Sequence, residues 1–118
     1  MSSALDIRPI DLARVWEVLD GAMPADAHVY MFGSRATGRA KRGSDLDLAI
    51  DAGRPLSAAE ASRIADRFEE SDLPYRVDVI DLQWASAEMA SVVTRDRVDL
   101  PRAIRLAASA AGFEHQAK

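Results

Sequence analysis

The sequence predicts a layered α/β or α+β fold, in which helices pack on one side of a short β-sheet. The chain of 118 residues contains 48% apolar and 29% charged residues, a composition typical of one compact domain. Short β-branched and aromatic runs alternate with segments of helical periodicity. Because strands separated by helices favour layered folds, we expect a single domain over residues 1–118.

The chain opens with a predicted helix followed by a predicted strand. Pro9 begins a segment whose apolar residues recur at helical spacing, and Gly21 closes it. Residues 28–32, His-Val-Tyr-Met-Phe, form a short aromatic and β-branched run that ends at Gly33. Such a run predicts a buried strand whose carboxyl end lies at Gly33.

A second strand and a second helix are predicted from local patterns. Residues 45–51 alternate acidic and apolar side chains, which is the period of a strand and puts Asp45 and Asp47 on one face. Ser57 and Glu60 have the spacing of a capping box, and an apolar stripe follows them. We expect a helix to start there and to end before Pro74.

The remaining predicted elements are one strand and two helices. Residues 76–81, Arg-Val-Asp-Val-Ile-Asp, have the composition of a third strand. Helices are expected over residues 86–94 and 101–112.

The composition excludes several classes of protein. The chain has no cysteine, which rules out disulfides, thiolate catalysis and zinc-thiolate sites. A net charge of −4 argues against general nucleic-acid binding, because a polyanion is bound through a surplus of lysine and arginine. The first residues lack the pattern of a secretion signal, and no apolar stretch approaches membrane-spanning length. We therefore expect a cytoplasmic protein that has no membrane association.

The connection between the first two strands carries the most chemical information. It begins with Gly33 and Ser34 at a strand end and passes through a glycine- and base-rich segment to Asp45 and Asp47. A glycine lets the backbone approach a phosphate closely, and a helix start after it would present unpaired N–H groups to the anion. The Ser34 hydroxyl adds one more donor. The segment is therefore suited to phosphate binding.

The paired carboxylates of Asp45 and Asp47 predict a metal site. Two aspartates on one face repel each other unless a positive charge lies between them, and divalent cations prefer such oxygen ligands. In a two-metal site, one ion activates the attacking oxygen and the other neutralises charge on the leaving phosphates. The alternative for this pattern is a strand with a solvated acidic face.

A two-metal site usually needs a further carboxylate, and the third strand offers two candidates. Asp78 is the first, because its neighbours Val77 and Val79 would point to the opposite face. Asp81 is the second. It lies near the strand end and on the face opposite to Asp78, and a capping or solvent-facing role is enough to explain its presence there.

The pattern Gly-Ser, ten residues, Asp-x-Asp resembles the signature of the DNA polymerase β-like nucleotidyltransferase superfamily. Residues 32–38, 44–50 and 77–82 look like the minimal nucleotidyltransferases of the MNT type. The resemblance extends from His28 to Leu82, and the helical flanks match only in their layout.

This resemblance implies a mixed sheet flanked by helices and a magnesium-dependent transfer of a nucleoside monophosphate, with ATP as the expected donor. Two magnesium ions are expected in each site. The implied catalytic and metal-binding residues are Asp45, Asp47 and Asp78. The implied nucleotide-binding residues are Gly33, Ser34 and Arg35. The same resemblance implies that Asp78 accepts the proton of the acceptor hydroxyl.

The basic residues of the connection leave two interpretations open. They are Arg35, Arg39, Lys41 and Arg42. These side chains could steer or stabilise the triphosphate, and a solvated basic loop explains them almost as well.

The MNT resemblance also implies a partner. Proteins of this type resemble the antitoxin halves of pairs whose other member is an all-helical HEPN ribonuclease, and such antitoxins can transfer AMP to a tyrosine of the toxin. Larger relatives carry an additional domain that helps bind the acceptor, and 118 residues leave little room for one. A separate HEPN-type toxin is therefore the expected acceptor.

Two other functions remain open from the sequence. The first is a binding module that neutralises its partner by occlusion, through exposed apolar positions such as Val92, Val93 and Ile104. The second is a small-molecule nucleotidyltransferase, similar to antibiotic-modifying relatives, that completes its acceptor pocket as a homo-oligomer.

Overall fold

The computed structural model describes residues 5–101, which form a four-stranded mixed sheet with helices on both faces. The helices are α1 (Pro9–Leu19), α2 (Ser34–Thr37), α3 (Ala58–Glu69) and α4 (Ala87–Asp96). The strands are β1 (His28–Phe32), β2 (Leu46–Asp51), β3 (Val77–Asp81) and β4 (Val98–Asp99), and a short 3-10 helix, Leu82–Trp84, follows β3. The helix predicted over residues 101–112 lies outside the described residues from position 102 onward.

The sheet has the strand order β3-β2-β1-β4. Strand β1 pairs antiparallel with β2 and β4, whereas β2 and β3 are parallel and are joined through α3. Both strand orientations are therefore present, and the mixed sheet that the family resemblance implied is confirmed.

Local sequence signals set several of the element boundaries. Pro9 stands in the first turn of α1, where its missing N–H costs no helical hydrogen bond. At the start of α3, the Glu60 N–H donates to the Ser57 hydroxyl at 3.1 Å and the Ser57 N–H donates to the Glu60 carboxylate at 2.8 Å. These reciprocal bonds are the predicted capping box, which fixes the first turn of α3.

The larger apolar core lies between the sheet and helices α1 and α3. It takes residues from alternate positions of the strands, as the period of a strand requires. Its fully buried members include Leu12, Leu19, Met31, Leu46, Leu48 and Ile64.

A smaller apolar cluster covers the opposite face, where Val93 of α4 packs with Phe32 and Ala49. The prediction that all helices pack on one side of the sheet is therefore wrong. The expectation of an exposed Val93 is also wrong, because this side chain is only 1% exposed.

The two faces of β2 differ in a way that positions the chemistry. Leu46 and Leu48 point into the larger core, so Asp47 and Ala49 point to the face that α4 covers. The candidate site therefore lies on the α4 face, at the end of the sheet where β2 begins and β1 ends. Between residues 5 and 101, no helix combines the length and the apolar character needed to cross a bilayer.

Candidate active site

The turn at Gly33 brings the end of β1 into close contact with β2. Gly33 has φ +80° and ψ −161°, a conformation that side chains rarely adopt. A Cβ at this position would overlap Oδ2 of Asp47 and would lie 3.3 Å from its Cγ. Glycine is therefore required here both for backbone conformation and for space.

Helix α2 starts directly after this glycine. The N–H groups of Ala36 and Thr37 donate to the Gly33 carbonyl at 3.1 and 3.2 Å. The N–H groups of Ser34 and Arg35 come before these two donors in the chain, and the first N–H groups of a helix have no acceptor within the helix. The turn thus places Gly33 against the Asp47 carboxylate, directly before the first N–H groups of α2.

The strand register brings two of the predicted aspartates side by side. Asp47 of β2 is the parallel partner of Asp78 of β3, and it also lies opposite Phe32 at the end of β1. Asp45 stands two positions before Asp47, just outside the first residue of β2. All three predicted carboxylates therefore meet at one end of the sheet, next to the Gly33 turn.

The environment of Asp47, including the two neighbouring carboxylates, changes its pKa. Burial raises the pKa of Asp47 from 3.8 to about 6, and the negative charges of Asp78 and Asp45 contribute to the same shift. In the metal-free protein the folded state therefore binds a proton at Asp47 more tightly than the unfolded chain does. It follows that the contribution of Asp47 to stability falls as the pH rises from 3.8 through about 6.

The donor set suits a hard divalent cation. Carboxylate oxygens are the ligands that such ions prefer, and a cation would relieve the repulsion that raises the Asp47 pKa. Within residues 5–101, no three acidic or histidine side chains are already closed around one point. Asp45 and Asp47 are partly exposed and Asp78 is exposed, so these side chains have room to turn toward an ion.

The second candidate for the third carboxylate, Asp81, has a different environment. It pairs with Ile50 in the register, so it stands on the face opposite to Asp78. Its two carboxylate oxygens accept hydrogen bonds from the N–H groups of Leu56 at 2.8 Å and Gln83 at 3.0 Å. Asp81 caps the turn after β3 and ties it to the loop before α3.

The structure gives the Arg35 side chain a role other than the expected one at the nucleotide. Arg35 is 8% exposed, and its guanidinium donates to the carbonyl oxygens of Ser44 and Asp6. Three of its N–H donors are thus engaged by protein carbonyls, and the expected contact of Arg35 with the triphosphate stays a prediction. Its backbone N–H still belongs to the turn.

The sequence offers no signal for Asp96 and leaves the role of Arg39 open, and both are related to the Gly33 turn. The Arg95 guanidinium holds the pKa of Asp96 below its usual value, with smaller contributions from the charge of Arg39 and a hydrogen bond of the Gly33 backbone. Asp96 lies at the last position of α4 and had no local sequence signal. The charge of Arg39 thus acts on a carboxylate that is hydrogen-bonded to the Gly33 backbone.

Comparison with known proteins identifies a matching family and a similar protein. Residues 25–100 match the family described as polymerase beta, nucleotidyltransferase. A Haemophilus influenzae protein named probable protein adenylyltransferase MntA is 42% identical over 91 residues, which cover 77% of this chain and 79% of that protein.

Solved structures share the fold. One is a toxin-antitoxin complex with AMP-PNP, which matches with a TM-score of 0.65 and 23% identity over 89% of this chain and 90% of that chain. Another contains a tri-AMPylated Shewanella oneidensis HEPN toxin with an MNT antitoxin, with a TM-score of 0.62 and 20% identity over 93% and 88% of the two chains. The family match and the sequence identity to MntA establish that the chain belongs to the polymerase β-type nucleotidyltransferases.

Proposed function

We propose that this enzyme transfers AMP from ATP to a hydroxyl group of a HEPN-type toxin and thereby acts as the antitoxin of that partner. The observation that carries the proposal is the contact of the Gly33 turn with Asp47, whose register partner is Asp78. A phosphate-binding turn beside clustered carboxylates is the arrangement that metal-assisted phosphoryl chemistry needs. The 42% identity to a probable protein adenylyltransferase supports AMP as the transferred group.

Magnesium is the proposed cofactor, with two ions at the site. Asp45 and Asp47 would hold both ions, and Asp78 would complete the coordination of the ion nearer to the acceptor. When bound, magnesium supplies positive charge for the reacting phosphates and makes the acceptor hydroxyl more acidic. Binding of magnesium also removes the electrostatic cost that the metal-free protein carries at Asp47.

The residues around the carboxylates have distinct proposed roles. The backbone N–H groups of the Gly33 turn and the Ser34 hydroxyl bind the triphosphate, and Arg39 supplies positive charge at the border of the turn. Asp78 is the exposed member of the carboxylate set, so it is accessible to an incoming acceptor. It is the residue proposed to accept the proton of the acceptor hydroxyl.

The proposed acceptor is a tyrosine of the HEPN toxin. Structural relatives are toxin-antitoxin complexes, one of which contains AMP-PNP and another an AMPylated HEPN toxin. The exposure of Asp78 and the partial exposure of Asp45 and Asp47 leave the carboxylate end of the sheet open to a second protein. A separate partner can therefore present its hydroxyl to the site.

Transfer of labelled AMP tests the proposal. The full-length chain is incubated with the product of its neighbouring gene, magnesium and labelled ATP, beside the variant Asp45→Ala/Asp47→Ala. A matched control is Asp66→Ala/Glu69→Ala, which removes two exposed carboxylates of α3 on the other side of the sheet. We expect label on the partner with the wild type and the control, and a loss of label with the first variant. Equal labelling by all three proteins would contradict the proposal.

Occlusion of the partner without catalysis is the second candidate, and one surface feature favours it. Trp84 is 75% exposed and Met89 is 38% exposed, and aromatic residues and methionine are enriched at protein interfaces. Co-production of toxin with the Asp45→Ala/Asp47→Ala variant separates the two functions. Neutralisation that persists in this variant shows that binding is sufficient, whereas its loss shows that catalysis is required.

A further inference from the structure

The side chain of Arg35 connects the two halves of the candidate site. Its Nε and Nη2 atoms both donate to the Ser44 carbonyl, at 3.1 and 2.9 Å. Arg35 itself follows Gly33 and Ser34, and Ser44 directly precedes Asp45. The two parts of the motif are thus joined by a pair of hydrogen bonds within one buried contact, in addition to the contact between the Gly33 turn and Asp47.

The segment that precedes α1 holds the same arginine from another side. Nη1 of Arg35 donates to the Asp6 carbonyl at 2.7 Å, and the Asp6 N–H donates back to the Arg35 carbonyl at 2.9 Å. The Asp6 carboxylate accepts the N–H of Ala40 at 2.8 Å, within the connection that leads to Asp45. Asp6 therefore ties the start and the middle of this connection to the N-terminal segment.

The face of the guanidinium is fixed as well. It lies 3.9 Å from the centroid of the Tyr75 ring, and the Tyr75 hydroxyl donates to the fully buried Asp11 carboxylate at 2.9 Å. Asp11 belongs to α1 and is also bound by Arg8 at 2.9 and 3.1 Å. The Tyr75 ring thus covers the face of the Arg35 guanidinium, and its hydroxyl is hydrogen-bonded to helix α1.

We infer that Arg35 is a positioning residue, which sets the position of Asp45 and Asp47 relative to the Gly33 turn through its two hydrogen bonds to the Ser44 carbonyl. The inference rests on the proposed function, in which these aspartates bind magnesium. Arginine is needed because its planar fork can donate in two directions while its face stacks on an aromatic ring. Lysine keeps the charge and cannot reproduce this geometry.

The test is Arg35→Lys in the full-length chain, assayed for AMP transfer to the partner over a range of magnesium concentrations. Residues that orient metal ligands typically change metal affinity or activity by about 10- to 100-fold. We therefore expect kcat to fall by about 10- to 100-fold and the half-saturating magnesium concentration to rise by a factor in this range. Calorimetric titration of magnesium without turnover measures the same change in affinity, at a temperature where thermal melts show the variant to be folded, because unfolding weakens the apparent affinity.

Two control variants separate positioning from stability. Arg54→Lys removes an exposed bidentate pair with Glu60 at 2.9 Å, away from the site, and Tyr75→Phe keeps the ring against Arg35 while it removes the hydrogen bond to Asp11. Both should retain the wild-type magnesium dependence, although Tyr75→Phe should melt at a lower temperature.

Two results overturn the inference, and they are distinguishable. If Arg35→Lys keeps the wild-type kcat and magnesium dependence, the positioning role is wrong while the proposed function stands. If Asp45→Asn transfers AMP as the wild type does in the same assay, the proposed function fails and the positioning role fails with it.

Discussion

Replacing Gly33 with alanine tests the close approach of the Gly33 turn to Asp47. Because residue 33 has φ +80° and ψ −161°, its replacement by alanine is expected to destabilise the folded protein by about 1–3 kcal/mol. The new Cβ would also overlap Oδ2 of Asp47, so the carboxylate would have to move by on the order of 1 Å. A displacement of this size lowers the rate of a catalysed reaction by about 100-fold. We expect kcat for AMP transfer to fall by about 100-fold and the melting temperature to decrease.

The matched control is Gly21→Ala. Gly21 also has φ +80°, but a Cβ there would meet no atom within 4 Å. It therefore carries backbone strain without any contact with the site. Initial rates at saturating ATP and magnesium, together with thermal melts, compare the two variants. If Gly33→Ala retains a kcat within about 3-fold of Gly21→Ala, the reasoning about the Gly33 turn is refuted.

Three further predictions follow from burial and charge. Without magnesium, Asp47→Asn should be more stable than the wild type above pH 6, because it lacks a carboxylate whose pKa is raised to about 6. Thermal melts between about pH 4 and pH 7 should show that this difference in stability vanishes near pH 4. The half-saturating magnesium concentration should increase by up to about tenfold for each pH unit below about pH 6, because protons compete with magnesium for Asp47. A half-saturating concentration that does not change with pH would contradict this prediction. Val93→Ala should lower the free energy of unfolding in urea by about 2 kcal/mol, because this side chain is 1% exposed.

Features with a local physical cause could be predicted from the sequence. The capping box of α3 involves two residues within one turn, so Ser57 and Glu60 alone are sufficient to place it. The strand period likewise places Asp47 and Asp78 on the correct face before their partners are known. The predicted meeting of the carboxylates beside Gly33 therefore needed only local patterns and the family resemblance.

Features that depend on contacts distant in sequence could not be predicted. The periodicity of α4 shows that one side is apolar, but it does not say which face of the sheet Val93 covers. Likewise, Arg35 lies in a basic segment next to a phosphate-binding turn, and its hydrogen bonds to Asp6 and Ser44 exist only in the folded chain. The charge of Arg35 therefore suggested a ligand contact, whereas its side chain is buried among protein acceptors.

A comparison of Asp78→Asn with Asp81→Asn tests the central claim most directly. The two aspartates belong to the same strand and stand on opposite faces, so the variants remove equal charge from neighbouring positions. The measurement is the single-turnover rate of labelled AMP transfer from ATP to the partner toxin at saturating magnesium. The expected result is at least a ~100-fold loss for Asp78→Asn, and a rate near that of the wild type for Asp81→Asn at a temperature where it is folded. Equal rates for Asp78→Asn and the wild type, or a loss confined to Asp81→Asn, would contradict it.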